Sequence, residues 1–487
     1  MTRNSINLLA VVGLSLTPLS SAAQNTSPLF TQHFTKEEFA QRRARICETI
    51  GPEAAALVQG AGAVHSSARF RQSNQFFYLT GVETPHSIVM IDCSDGETNL
   101  YLPHRNVARS GTDGHFITAD DPDWVADLTG VDVVAGPERL SEHLARMSYR
   151  GSVQTIYTPF APAEGPSASR DGEMRVVGDR AGDPWDGRPS REGHFVELLN
   201  TRFPVFEVRN LSPILDELRI IKSPAEIRLI DRATRLSGEA LMEAMRSTRP
   251  GVVEHEIDGA ARFIFFRNGA QGEGYAAIVA TGQNAWYPHH RAAEGVFEDG
   301  DLVLMDYAPD IEYYRTDVTR QWPVNGKFNS WQRELYGFYL ACYKAILERI
   351  GPGKLPADII NDAAEAMKGI LAGSTFSKPH HRAAAEEFVA SYASRSLGYG
   401  ALGHGVGMST HDPGDYSQVL KPGMVFTIEP ALRVPEEKLY IRLEDLIVVT
   451  ETGIDVLSDF VPMEMDDVEA TIAEDGILQL YGRSPWQ

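Results

Sequence analysis

Cysteine is scarce: the 487-residue chain carries only Cys47, Cys93 and Cys342. A disulfide-dense scaffold is excluded, because at most one bridge can form and a chain of this length builds its core without one. None of the three lies near the acidic motifs described below. They are expected to be small buried apolar residues. Clustered positive charge is also lacking. The chain has 45 Lys and Arg against 66 Asp and Glu, a formal net charge of −21, with no basic block and no interleaving of basic and aromatic residues. This excludes nucleic acid and an anionic membrane surface as natural partners, and the charge is read as solubility. No segment approaches the roughly 20 apolar residues that cross a bilayer.

What is present begins with a leader. Arg3, a short apolar core over residues 8–16 and the small residues Ser21, Ala22 and Ala23 before Gln24 have the pattern of a cleaved secretory signal spanning 1–23. No cysteine follows the cleavage site, so a lipid anchor has no support. The expected location is periplasmic or secreted. The apolar fraction of 43% provides a sizeable core, and the length calls for two or three domains.

Between residues 33 and 206, short apolar runs (54–58, 87–91, 99–102, 131–135 and 153–157) alternate with helix-like stretches, which predicts a small α/β domain. Residues 161–194 are rich in Gly, Pro, Ser, Asp and Arg without periodicity and read as a long loop. A second domain spans 211–470. Its opening helix is predicted from Ser223 as N-cap, Pro224 at the first position and Glu226 completing a capping box, and it should run to about Arg246. Further helices are expected over 330–350 and 356–371.

The chemistry is concentrated in acids embedded in apolar segments. Asp306 closes the run around Val303 and Met305, and the following residues can return as a hairpin that brings Asp317 beside it. His404 stands in GHGVGMSTHD, Glu429 in FTIEPAL and Glu444 in IRLEDLIVV. Arg442 and Glu444, two apart, share one strand face, while Leu443 and Asp445 point to the other. Taken singly, each acid reads as an ordinary surface or hairpin residue. Together they need compensation, because four carboxylates brought close repel one another or take up protons, and two divalent cations would neutralise them. An oxygen-rich set with a single imidazole suits Mn²⁺ best, with Zn²⁺ or Co²⁺ as alternatives.

LVLMDYAPDIEYYRTDVTR, GHGVGMSTHD, TIEP and IRLED, in this order, resemble the motifs of the aminopeptidase P / prolidase / methionine aminopeptidase family. RFRQSNQFFYLTGVETPHSIVMID similarly resembles the N-terminal domain of aminopeptidase P, and LRIIKSPAEI the start of its catalytic domain. The resemblance implies an α/β (α+β) protein, a small creatinase-like N-terminal domain followed by a pita-bread metallopeptidase domain. It implies two divalent ions per chain, with Asp317 and Glu444 bridging them, Asp306 on one, and His404 and Glu429 on the other. It further implies a metal-bound hydroxide, Glu429 as proton acceptor, and His289 and His411 stabilising the oxyanion or leaving nitrogen. Arg442 takes a supporting or carbonyl-binding role.

The implied substrates are peptides with proline in second position, whose tertiary amide lacks the N–H that ordinary peptidases bind. A homo-oligomer, dimer or tetramer, is implied as well. An Xaa-Pro dipeptidase, and a peptide-binding module that has lost catalysis, are the rival readings. The chain departs from the family at Gly400, where many members carry a histidine, and at Tyr307-Ala308-Pro309, where small residues are usual. His290 is a possible substitute for His289.

Overall fold

The computed structural model describes residues 28–64, 68–108, 117–398 and 400–481. The segment read as a leader, 1–23, lies outside the described residues.

Six strands, β1 (Ala54–Gln59), β2 (Ile88–Asp92), β3 (Thr98–Tyr101), β4 (Val133–Ala135), β5 (Thr155–Thr158) and β6 (Glu207–Asn210), form one sheet in the order β4-β3-β2-β1-β5-β6. β1 pairs antiparallel with β2 and parallel with β5, so it is central and buried on both faces. Alternation along β1 divides two cores. Ala55 and Leu57 pack with Leu144, Met147, Phe195 and Leu199, while Ala56 and Val58 face Phe39 and Ile46 in a core continuous with that of the second domain. Phe76, Phe77 and Tyr78 are buried, as core packing required. Phe77 also stacks on Tyr313 of the second domain, with centroids 3.6 Å apart.

Two expectations are corrected. Cys47 and Cys93 are not separate apolar fillers: they form a disulfide that ties the helix Lys36–Ile50 to the end of β2 across 46 residues of chain. Closing a loop of that length removes about 4 kcal/mol of unfolded-chain entropy. Cys342 alone is free and buried. Nor is 161–194 a plain loop, since it contains the helix Arg170–Gly182 and the start of Arg191–Arg202. The first of these buries only Arg170, so it has no apolar stripe to produce a 3.6-residue period.

In the second domain the helix Pro224–Ser247 forms as expected. Ser223 Oγ accepts from the Glu226 amide at 3.2 Å, and Glu226 accepts from the Ser223 amide at 2.7 Å. The helices Ser330–Leu347 and Pro356–Gly373 also form, and a third, Pro379–Gly398, had no clear periodic signal. β7 (Gly272–Glu273) pairs with β10 (Pro309–Asp310), and β9 (Leu302–Asp306) lies between β8 (Ile278–Thr281) and β11 (Thr319–Pro323). β12 (Val425–Ile428), β15 (Asp445–Val449) and β16 (Ile454–Val456) form another sheet, and β13 (Ala431–Val434) and β14 (Leu439–Arg442) a hairpin. A bridge from Thr319 to Glu444 brings the two sheet systems together. No described helix is long and apolar enough to cross a membrane.

Candidate metal centre and active site

The antiparallel register of β9 and β11 sets Asp306 opposite Thr319, which holds Asp317 beside it. The intervening chain reverses at Glu312-Tyr313, both at positive φ, and Ile311 and Tyr314 exchange both backbone hydrogen bonds across this two-residue turn. Thr319 Oγ1 donates to Glu444 Oε2 at 2.7 Å, fixing the third carboxylate. Glu429 follows the end of β12, and His404 lies on the strand-like segment whose carbonyl accepts from the Thr427 amide at 3.0 Å. A β-carbon at Gly403 would stand 1.9 Å from the Thr427 carbonyl oxygen, so glycine is required for this close approach.

The ligand atoms of Asp317, His404 and Glu444 lie within 4.8 Å of one another. His404 Nε2 is 3.3 Å from Glu429 Oε1 and 3.6 Å from Asp317 Oδ2. Arg442 joins the remaining pair, contacting Asp306 and standing 3.3 Å from Glu429 Oε2. As strand alternation required, Asp445 faces away from Glu444 and pairs with Arg320 at 2.6 Å.

Four carboxylates therefore cluster around one guanidinium that pairs with three of them, and the electrostatics show the imbalance. Burial raises the Asp317 carboxyl well above the ordinary aspartate value, and Glu444 and Asp306 push it further. Burial followed by Glu429 does the same to Glu444, whose Oε1 is buried without a hydrogen-bond partner. Burial holds His404 below the usual histidine value despite Glu429, keeping a neutral imidazole able to ligate. A cluster of oxygens with one imidazole, short of positive charge and with an orphaned carboxylate oxygen, fits divalent cations.

The other expected residues are placed as follows. His411 packs its ring on His404, with centroids 4.1 Å apart. His289 is exposed, and its electrostatic neighbours include Asp306, His411 and Arg442. His290 does not substitute for it, because its Nε2 is 3.0 Å from the buried Glu254, a carboxylate that also holds the Thr281 and Gly295 amides. Gly400 has φ +68°, where a residue bearing a β-carbon is strained. A cavity of about 350 Å³ beside His404 and Glu429 is lined by Ser391, Arg395 and Gly403.

Tyr275 was missed by the sequence reading. Its hydroxyl, with a single proton to give, stands within hydrogen-bonding distance of Asp306 and, at 2.6 Å, of Asp317. Nothing in GEGYAAIV signals that contact. Thr319 sat in view within the D-x-T-R segment but had no role assigned.

The Metallopeptidase family M24 model matches residues 228–451, and that of the aminopeptidase P N-terminal domain residues 39–157. The Xaa-Pro aminopeptidase of Escherichia coli is 30% identical over 458 residues, covering 90% of this chain and 97% of the relative. That of Haemophilus influenzae is 29% identical over 462 residues, covering 89% and 96%. The solved structure of E. coli aminopeptidase P with the inhibitor Pro-Leu superposes with a TM-score of 0.70 at 28% identity, covering 90% of this chain and 98% of that one. The fold and site thus define a two-domain metallohydrolase. The chain belongs to the aminopeptidase P branch of metallopeptidase family M24, enzymes that use divalent metal ions and release N-terminal residues.

Proposed function

We propose that this chain is an exported Xaa-Pro aminopeptidase with two divalent ions, Mn²⁺ foremost, held by Asp306, Asp317, His404, Glu429 and Glu444. The observation that carries this reading is the convergence of four carboxylates and one neutral imidazole from four separate segments. Bound there, the ions would supply Lewis acidity at the scissile carbonyl and make a water acidic enough to attack near neutral pH. Glu429, at the edge of the cluster, takes the proton from that water. Arg442 keeps Glu429 and Asp306 in place, and Tyr275 spans Asp306 and Asp317. His289 and His411 stand on the substrate side and stabilise the oxyanion or the leaving nitrogen.

The domains are taken as 33–206 and 211–470, preceded by the leader 1–23. The likeness to Xaa-Pro aminopeptidases over about 90% of the chain favours an aminopeptidase over a dipeptidase. The disulfide fits an oxidising compartment outside the cytosol. Copies of the chain are further proposed to assemble as a dimer or tetramer, which light scattering measures.

Xaa-Pro-Xaa peptides, Xaa-Pro dipeptides and Xaa-Ala-Xaa peptides, assayed before and after chelation and Mn²⁺ addition, test the function. Release of the first residue from the longest Xaa-Pro substrate, abolished by chelation, is the expected outcome. Equal turnover of alanine and proline in second position overturns the substrate assignment.

A further inference from the structure

The segment 164–171, late in the first domain, is tied to the candidate site at three points. Glu164 is buried between Arg170 and Arg219, and Arg219 in turn pairs with Asp412, the neighbour of His411, at 2.6 Å. The Gly165 and Ala168 carbonyls accept from Arg315, two residues before Asp317, at 3.3 and 2.9 Å. Ser167 Oγ donates to the Glu273 carbonyl, two residues before Tyr275, at 2.9 Å. Each tie leads, directly or through Arg219, to a residue within two positions of a site residue.

The end of the segment reaches His411 directly. Ser169 precedes the helix Arg170–Gly182, yet its side chain makes no cap to that helix. Its Oγ accepts instead from the His411 amide at 3.0 Å. Asp171 Oδ2 stands 3.4 Å from His411 Nδ1, while the face of the same ring rests on His404. His411 is thus held by its backbone, by one ring edge and by one ring face. An imidazole whose Nδ1 is engaged by a carboxylate has its tautomer and rotation set by that partner.

We infer that Ser169 and Asp171 are positioning residues for His411, supplied by a segment outside the metal-binding strands. This inference rests on the role of His411 proposed above. Asp171 is half-exposed on a helix with little buried surface and has one other ion pair, with the exposed Arg175, so its substitution is expected to leave folding intact.

The test is a kinetic cycle on the metal-loaded full chain. Asp171→Ala is expected to lower kcat at least about tenfold with KM little changed, because a misaimed group loses transition-state contacts. Metal content should not change. Asp171→Asn, whose amide oxygen can take the place of the carboxylate oxygen facing Nδ1, should restore most of that loss. In a His411→Ala background, Asp171→Ala should cost nothing further. An Asp171→Ala enzyme within about twofold of the parent in kcat, or an equal loss in the His411→Ala background, overturns the inference. If the parent enzyme cleaves no Xaa-Pro peptide, it is the functional reading that fails. The pair is then read from ¹⁵N-histidine spectra of zinc-loaded protein, where Asp171→Ala should change the His411 tautomer, and an unchanged spectrum counts against the pair.

Discussion

Two clusters of buried charge flank the stretch from His404 to Asp412, and they are built on opposite terms. In one, Glu164, Asp216 and Asp412 face Arg170, Arg219 and Lys222, acid for base. Burial acts to raise the Glu164 and Asp412 carboxyls, but the neighbouring cations outweigh it and hold both below their ordinary values. In the other, Arg442 pairs with Asp306, Glu429 and Glu444 but not with Asp317, and burial with mutual repulsion lifts Asp317 and Glu444 well up. The first is balanced in charge within the chain, although burial still raises the Asp216 carboxyl, and it serves as a clamp. The second is balanced only when cations are bound, which marks it as a site.

The sharpest way to separate them is to remove one carboxylate from each. Asp317→Asn or Glu444→Gln should lower kcat/KM at least about a thousandfold and reduce bound metal, since each is a proposed bridge. The same change should raise the stability of the metal-free protein by relieving repulsion. Metal analysis, turnover and denaturant melts check all three outcomes, and a destabilised metal-free Asp317→Asn would erase the distinction.

Asp412→Ala should do the reverse. It strands Lys222 in the interior and leaves Arg219 only Glu164 as a paired carboxylate, and it should destabilise by about 3–5 kcal/mol, read from the denaturant midpoint of metal-loaded protein.

The two clusters also respond oppositely to pH. Asp317 and Glu444 titrate higher folded than unfolded. The metal-free native state therefore holds extra protons and loses their stabilisation as pH rises from about 4 through the raised values. Glu164 and Asp412 titrate lower when folded, so their contribution is present above about pH 4 and is lost on acidification. Metal-loaded and metal-free protein should consequently differ most in Tm at neutral to alkaline pH and least in acid. At a hundredfold excess of free metal over Kd, the gap is about 2.7 kcal/mol. Tm measured against pH for both forms checks this.

The smallest expected effect lies outside both clusters and calibrates them. Ser223→Ala should cost about 1 kcal/mol with unchanged kinetics, because it removes only the cap of the helix Pro224–Ser247.

How much was legible follows the same division. The ligand candidates showed in the sequence because an acid within an apolar strand is unusual and because the motifs follow one another in the family's order. The capping box and strand alternation were local and formed as read, as the opposed directions of Glu444 and Asp445 show. The helix Arg170–Gly182 left no trace, because a helix that buries one side chain has no apolar period. Tyr275 and Asp171 carried no signal either. Their meaning comes from partners 31 to 240 residues away.

By itself, then, the sequence determined which segments carry chemistry, the excess of buried negative charge and the family to which the chain belongs. Local patterns of period two and of helix capping need only neighbouring residues, so they can be read directly. Tertiary structure alone decided the pairing of Cys47 with Cys93, the turning of His290 toward Glu254, and the reach of residues 164–171 across the domain boundary to His411. Each of these depends on which distant side chains burial brings within a few ångströms, and that is settled only when the sheets and helices pack.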